Sequence, residues 1–406
     1  MYREMIKTVL YLSSNRMPTE KANGYQIMNM CRAFANMEIV TQLICPCRKQ
    51  KEIEDSTSPF DYYNIPPDFK ICHMGGPDWL HVFGMISNKL KSLGAKLNTV
   101  QFACNTLRYS KKYWGEPETV YYSRDIFVVF VLSLFQRRIK GRIIYEAHAF
   151  PGRMLRRLIP RIKNIHRLIC LTGKLKTLFV GAGWNPDKIT VAHDAVDIKQ
   201  FEINTDKQTI RRELGISSQT KVVGYIGRFQ SMGLEKGIPE LIKAIALLLR
   251  KNSNNTLLLL CVGGPMEATV GYRQLASKIG VDSDRLKFIP RVPNRDVPKW
   301  IKLCDVATIP WTWNEFSAYF TSPMKMFEYM AAGVPIVASD LPSLKEILTH
   351  EKNALLYKDD SVKELADSIE RVLSDQKLSS LIVCNAMKDV QGYTWDKRAV
   401  TVLSSV

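Results

Sequence analysis

The chain is 406 residues long, 46% apolar and 24% charged, with a formal net charge of +18. That length and apolar content exclude a disordered or fibrous chain and give room for two domains of ordinary size. The positive charge sits in the first half: residues 1–200 carry 30 Lys and Arg against 16 Asp and Glu, and the remainder carries 27 against 23. A clustered basic surface seeks an anionic partner, meaning nucleic acid, acidic lipid headgroups or a phosphorylated substrate.

The opening stretch "MYREMIKTVLYLSSN" has an apolar run only from Val9 to Leu12, too short for a signal peptide. The longest apolar run, residues 126–135, is about half of what a membrane-spanning helix needs. A cytoplasmic chain is expected. Nine cysteines show no metal-ligand or redox spacing, "CPC" at 45–47 included, and read as reduced and buried.

In chain order, strands are expected at 8–12, 39–45, 119–122, 142–146, 167–172 and 189–193, with helices between them. After the first strand, "KANGYQIMNMCRAFANM" reads as a helix opened by Asn23 and Gly24. The strand at 142–146 runs into "YEAHAF", which puts Glu146 and His148 at a strand end. A histidine there can bond an incoming hydroxyl, shuttle a proton or serve structure alone. "HDAVD" at 193–197 holds a second such histidine.

The segment "RMLRRLIPRIKNIHR" (153–167) interleaves Arg153, Arg156, Arg157, Arg161, Lys163 and Arg167 with Leu and Ile. It fits a helix lying on a membrane surface and kinked at Pro160, or equally a solvated basic face above a core-facing stripe. The polar stretch 195–220 is the expected domain junction.

A second series of strands follows at 221–228, 256–263, 286–290, 305–310 and 335–339. Such alternation builds parallel sheets from βαβ units, whose ligands lie beyond the carboxyl ends of the strands. The loop "GYIGRFQSMGLEKGIPELIKAIALLL" supplies Gly227, Gly233 and Gly237, the cations Arg228 and Lys236, and a helix starting near Pro239. These are the parts of a phosphate site, although two solvated cations on a flexible loop would read the same way. In "FTSPMKMFEYMAAGVPIVASD" (320–340), Ser322 is expected to cap a helix with Pro323 in its first position, closed by Gly333 and Pro335. Lys325 lies in the first turn and Glu328 about one turn on. That carboxylate could reach sugar hydroxyls or escape to water along an exposed edge.

Together these segments resemble the family 4 glycosyltransferases, the retaining group with the GT-B fold, over nearly the whole chain. The motifs are "YEAHAF", "LICLTGKLK", "KITVAHDAVDIKQF", "GYIGRF" with "EKG", "VGG" (262–264), "FIPRV" (288–292), "DVATIP" and "SPMKMFEYMAAGVPIVASDLPSLKEIL". The resemblance implies an α/β chain of two Rossmann-like, doubly wound parallel-sheet domains facing a central cleft. Residues 1–200 would bind the acceptor and residues 201–385 the nucleotide-sugar donor. Residues 386–406, with "YTWDKRA", would form a helix crossing back to the first domain.

Carried onto matching positions, the resemblance implies that Arg228 and Lys236 bind the donor diphosphate and stabilise its developing charge, with no cofactor and no metal required. Glu328 would hold the ribose, the backbone at Ser322 and Met324 the phosphate beside Lys325, and the main chain at Val292 the base. Gly24 would belong to the glycine loop after the first strand. His148 would lie beside the transferred sugar and the acceptor hydroxyl, while the leaving phosphate takes the acceptor proton.

Two positions depart from the family pattern. Phe320 replaces the first glutamate of the usual pair, and the glycine pair is reduced to Gly24. The implied activity is transfer of a hexosyl or N-acetylhexosaminyl group from a UDP- or GDP-linked donor to a lipid-linked or polysaccharide acceptor. It would take place in the cytoplasm, peripherally at the inner membrane face, with the basic domain on anionic lipid. A non-transferring sugar-nucleotide epimerase and an inactive binding subunit are the alternatives. No recognition helix, zinc finger or RNA platform accompanies the charge, so nucleic acid is not an expected partner.

Overall fold

A computed structural model describes residues 6–48, 53, 57–203, 206–231, 233–251, 256–358 and 360–404. Residues 1–5 of the opening stretch, 204–205 of the expected junction and Met232 of the glycine-rich loop lie outside these. The chain divides into two compact units, 1–193 with 395–406, and 194–394.

The first unit is built on a seven-stranded sheet: β1 (Thr8–Leu12), β2 (Val40–Pro46), β3 (Lys70–Met74), β4 (Thr119–Ser123), β5 (Arg142–Ala147), β6 (Arg167–Cys170) and β7 (Ile189–Val191). Its order is β3-β2-β1-β4-β5-β6-β7, with every pairing parallel. The interior strands are almost wholly buried, as parallel strands covered on both faces must be. β3 gave no sequence signal because it is an edge strand, "KICHM", with half-exposed residues and no apolar run.

The chain order reverses between β1 and β4. The helix after β1 spans Ala22–Asn36, with Lys21 at its N-cap, so Asn23 and Gly24 lie inside its first turn rather than opening it. Gly24 is buried against the Tyr63 hydroxyl, which occupies the space a side chain would need. The terminal Trp395–Ser404 helix packs on this Ala22–Asn36 helix within the same unit.

The basic segment 153–167 does not form a continuous surface helix. It folds as two four-residue helices, Arg153–Arg156 and Ile159–Ile162, with Pro160 in the first turn of the second, where its missing N–H costs nothing. Ile159, Ile162 and Ile165 are buried, while Arg153, Arg156, Arg157, Arg161 and Lys163 face solvent. The apolar stripe that a membrane would need is therefore already used by the core. The cysteine expectation also needs correction: all nine are free, but Cys47, Cys104 and Cys384 are exposed.

The second unit carries a six-stranded parallel sheet, β12-β11-β8-β13-β14-β15, and a two-stranded antiparallel ribbon, β9–β10. The strands are β8 (Lys221–Arg228), β9 (Gln230–Ser231), β10 (Leu234–Glu235), β11 (Leu257–Gly264), β12 (Leu286–Pro290), β13 (Val306–Ile309), β14 (Ile336–Ser339) and β15 (Leu355–Tyr357). Alternate residues of β8 feed two cores: Val222 and Ile226 face one, Val223 and Tyr225 the other. β15, a three-residue edge strand, was again missing from the sequence reading.

The division at 193/194 and 394/395 compares with expected boundaries at 200/201 and 385/386. The Asp194 amide donates to Ser322 Oγ at 2.8 Å and the Val196 amide to the Tyr393 carbonyl at 2.9 Å, which ties both ends to the second unit. The Gln376–Asp389 helix packs on helices of the second unit. Asp305 accepts hydrogen bonds from the Val222 amide, Lys207 Nζ and Arg211 Nη2 at 2.6–2.7 Å, which fixes the Lys207–Glu213 helix onto the second sheet. Among the described residues no helix is long and apolar enough to cross a membrane.

Candidate functional site

In the second unit the strand order reverses around β8, so the ends of β8 and β13 border the crevice where such sheets take ligands. Gly227 and Gly263 face each other at the ends of β8 and β11 with φ of 138° and 150°. A side chain on Gly227 would come within 2.5 Å of Lys325 Nζ. Beyond it β9 and β10 pair antiparallel, and the Lys236 amide donates to the Phe229 carbonyl at 3.0 Å. Gly237, with φ of 82°, then lets the backbone pass close to the Pro310 carbonyl before the Ile238–Lys251 helix begins.

Tyr329 ties the Met324–Ala331 helix to this point. Its hydroxyl accepts from the Ile226 amide at 2.9 Å and lies 3.2 Å from the Ile226 carbonyl. The expected cap is different: Pro323 is the N-cap, and no side chain caps the helix. Ser322 Oγ instead accepts from the Asp194 amide at 2.8 Å, so its buried hydroxyl is already used. The first amides of this helix keep the positive potential of an uncapped amino end. Met324 is its first residue, Lys325 and Glu328 follow within it, and Val292 sits half-buried in the loop after β12.

The cations are unusual for their setting. Lys236 is buried with its ammonium 4.7 Å from the Trp311 ring centroid, and the Lys325 ammonium lies 3.7 Å from that of Tyr225. Among the described residues neither forms an ion pair with a carboxylate. Arg228, at the end of β8, is exposed. Burial, then the nearby Lys236, pushes Lys325 down to about 7 against the opposing pull of Glu328. Burial alone lowers Lys236. Burial raises the Glu328 carboxyl, against the pull of Lys325.

An amine whose pKa is lowered by burial is pushed back toward its charged form by an anion bound beside it. Lys325 in the empty site loses its proton as pH rises through about 7, and a bound diphosphate favours the charged form. Binding above that pH therefore takes up a proton, and affinity for a nucleoside diphosphate should weaken by up to about tenfold per pH unit. Calorimetric titrations in buffers of different ionisation heat measure the uptake, and Lys325→Met should flatten this alkaline limb.

In the first unit, His148 follows β5 and Arg124 follows β4. Glu146 is fully buried and accepts from the Tyr122 hydroxyl, from Gln26 Nε2 at 3.2 Å and from Arg398 Nη1 at 3.2 Å. Arg398 comes from the terminal helix and also donates to the carbonyls of His193 at 2.8 Å and Ala192 at 3.3 Å. His148 Nδ1 lies 2.9 Å from Arg124 Nη2, and its Nε2 lies 2.5 Å from Glu146 Oε1. Since a guanidinium only donates, Nδ1 must accept, and the proton on Nε2 goes to the carboxylate.

Burial disfavours the Glu146 anion, but Arg398 and His148 outweigh it and hold the carboxyl down at about 2. Burial and Arg124 push His148 down to about 4. The imidazole is neutral at pH 7 and both its nitrogens are engaged, which leaves neither open to a hydroxyl proton in this arrangement. His193, the second candidate, is pushed down to about 4 mainly by burial.

Sequence reasoning found Glu146 and His148 but missed Gln26, Arg124 and Arg398. Only Arg398 lay within a recognised motif, and nothing local marked it as buried. Phe320, the departure from the family pattern, is a core residue packed on Phe316 and Tyr319.

Two units of parallel-sheet α/β structure, the second with Lys236 and Lys325 set against aromatic rings near the end of β8, define the class to which the comparisons point. Residues 206–389 match the model of the glycosyl transferases, group 1. The chain is 31% identical over 217 residues to an uncharacterized glycosyltransferase of Methanocaldococcus jannaschii, covering 52% of each chain. It is 28% identical over 225 residues to the D-inositol 3-phosphate glycosyltransferase of Corynebacterium glutamicum, covering 54% of this chain and 51% of that one. Each match thus spans about half the length of the curated relative. In fold, the chain is similar to Anabaena HepE, solved in complex with UDP and glucose, with a TM-score of 0.72 at 16% identity over 98% of this chain and 100% of that one. The fold is of the GT-B type.

Proposed function

We propose that the chain is a retaining glycosyltransferase of family 4 type. It would take a hexosyl or N-acetylhexosaminyl group from a UDP- or GDP-linked donor and pass it to a lipid-linked or polysaccharide acceptor at an inner membrane face. One observation carries the reading: the ammonium groups of Lys236 and Lys325 lie against the rings of Trp311 and Tyr225, neither in an ion pair with a carboxylate among the described residues, beside an uncapped helix end. Buried charge is retained only where something balances it, and a diphosphate would do so. HepE holding UDP favours a uridine donor.

In this mechanism the bond between the sugar's anomeric carbon and the phosphate oxygen breaks as negative charge grows on the diphosphate. Arg228, Lys236 and Lys325 stabilise that charge, the role a divalent ion would otherwise fill. The acceptor oxygen bonds to the anomeric carbon on the same face, and its proton passes to the departing phosphate. With both ring nitrogens engaged, His148 is not assigned the role of base. Glu328, once ionised, would accept from the ribose hydroxyls, and the backbone at Val292 would meet the base.

Thermal denaturation with UDP, GDP and their sugar conjugates tests the proposal. A nucleotide at 100 times its Kd stabilises by about 2.7 kcal/mol and raises the melting temperature, and a panel with no shift overturns the reading. Incubation with labelled donor in the absence of acceptor separates transfer from epimerisation.

A further inference from the structure

The Trp79–Ile86 and Lys91–Ser110 helices of the first unit pack on each other, yet the first buries none of its residues. Leu80, Met85 and Ile86 are 41%, 70% and 67% exposed, and Leu93 and Val100 on the longer helix are 45% and 44% exposed. Leu93, Lys96, Val100, Cys104 and Arg108 are all exposed and share one face at helical spacing. Residues 79–115 contain no Asp or Glu, but they hold Lys89, Lys91, Lys96, Arg108, Lys111 and Lys112.

The two helices are joined by side-chain hydrogen bonds, and the longer one packs on the Ile126–Ser133 helix of the same unit. The Asn98 side chain accepts from the Trp79 amide at 2.9 Å and donates to Asp78 at 2.7 Å, and the Trp79 indole donates to Gln101 at 2.6 Å. Gly94 lets the two backbones meet. The apolar residues thus face outward from a fixed scaffold.

We propose that this helical hairpin is the membrane-docking surface of the chain and that its occupant is an anionic lipid bilayer. Aliphatic tips enter the headgroup region while the lysine stems lie along apolar surface and their ammonium groups meet acidic headgroups. A second copy fits poorly, because a symmetric contact would set lysines against lysines with no carboxylate between them. The basic segment 153–167 offers a smaller apolar face, with its isoleucines buried and Met154 its one large apolar side chain 66% exposed. The proposal rests on the membrane-face reading above for its purpose, and it is tested without reference to transfer.

The test is flotation of the full chain with vesicles of phosphatidylcholine, with and without phosphatidylglycerol. The unaltered protein should float with the anionic vesicles, and Met85→Asp with Ile86→Asp should cut the bound fraction at fixed lipid by about tenfold or more. Arg156→Glu with Arg157→Glu should cut it less. Should the aspartate pair fail to fold, as judged by its melting curve, Lys89→Glu with Lys91→Glu tests the same surface through its charge. Equal flotation of the altered and unaltered proteins overturns the proposal. So does failure of the unaltered protein to bind, or a dimer in sedimentation velocity that the substitutions dissolve. UDP stabilisation should survive in the aspartate pair; its absence in every form would sink the enzymatic reading while leaving this one standing.

Discussion

Lys236→Ala should lose transfer by about 100-fold or more while the fold survives. Removing one preorganised group that stabilises developing charge typically costs that much, because nothing in the site reorganises to replace it. The lost group is a buried ammonium beside the β9–β10 pair, tethered by the Phe229–Lys236 hydrogen bond and flanked by Trp311. Its desolvation penalty disappears with the substitution, so the empty protein should melt no earlier than the unaltered one, or slightly later. That pairing, lost turnover with retained stability, separates a working cation from a structural one. Removing Lys236 also removes repulsion on Lys325, so the alkaline limb of nucleotide binding should move to higher pH. Steady-state transfer assays, melting curves and the pH dependence of binding check the three parts.

Arg398→Met should be the most destabilising of the substitutions considered, by about 3–5 kcal/mol, because it leaves the Glu146 carboxylate buried without its main counter-charge. Both side chains are almost fully buried at their contact. The carbonyls of Ala192 and His193 would lose their donor as well. Glu146→Gln combined with Arg398→Met should recover part of the loss, since no stranded charge remains.

The pH dependence has a definite sign. Glu146 in the folded protein titrates at about 2, below its ordinary value of 4.5, so the stability it confers is complete above the ordinary carboxylate range and is lost as pH falls toward 2. Without Arg398, burial drives the carboxyl upward, and the deficit of the variant relative to the unaltered protein should shrink as pH falls from 7. Urea unfolding across pH measures this. An Arg398→Met protein as stable as the original at pH 7 would remove Arg398 from its assigned role.

How much was legible in advance follows from which interactions are local. The interior strands β1, β4, β5, β8 and β11 were placed to within a residue or so, because strands covered on both faces must be continuous apolar runs. The Pro239 and Gly333 signals marked one helix start and one helix end for equally local reasons. Of the four edge strands, β7 and β12 were legible and β3 and β15 were not, because "KICHM" is broken by polar residues and "LLY" is only three residues long.

The capping role expected of Ser322 failed through competition. Its hydroxyl met the distant Asp194 amide first, a partner 128 residues away. The basic stretch 153–167 allowed two readings, and only burial of its isoleucines chose between them. Met85 and Ile86 carried no signal of their exposure in the sequence, since an apolar pair at a helix end reads alike whether covered or open.

The amino-acid sequence by itself determined the alternation of strands and helices, the excess of positive charge in the first half, and the order of glycines and cations at the end of β8. Only the tertiary structure decided which charges meet. Arg398 reaches Glu146 across 252 residues, and Lys325 comes under Tyr225 because Tyr329 ties its helix to β8. The physical reason is that propensity and pattern act over a few residues, whereas the protonation of a buried group is set by whatever the fold brings within a few ångströms.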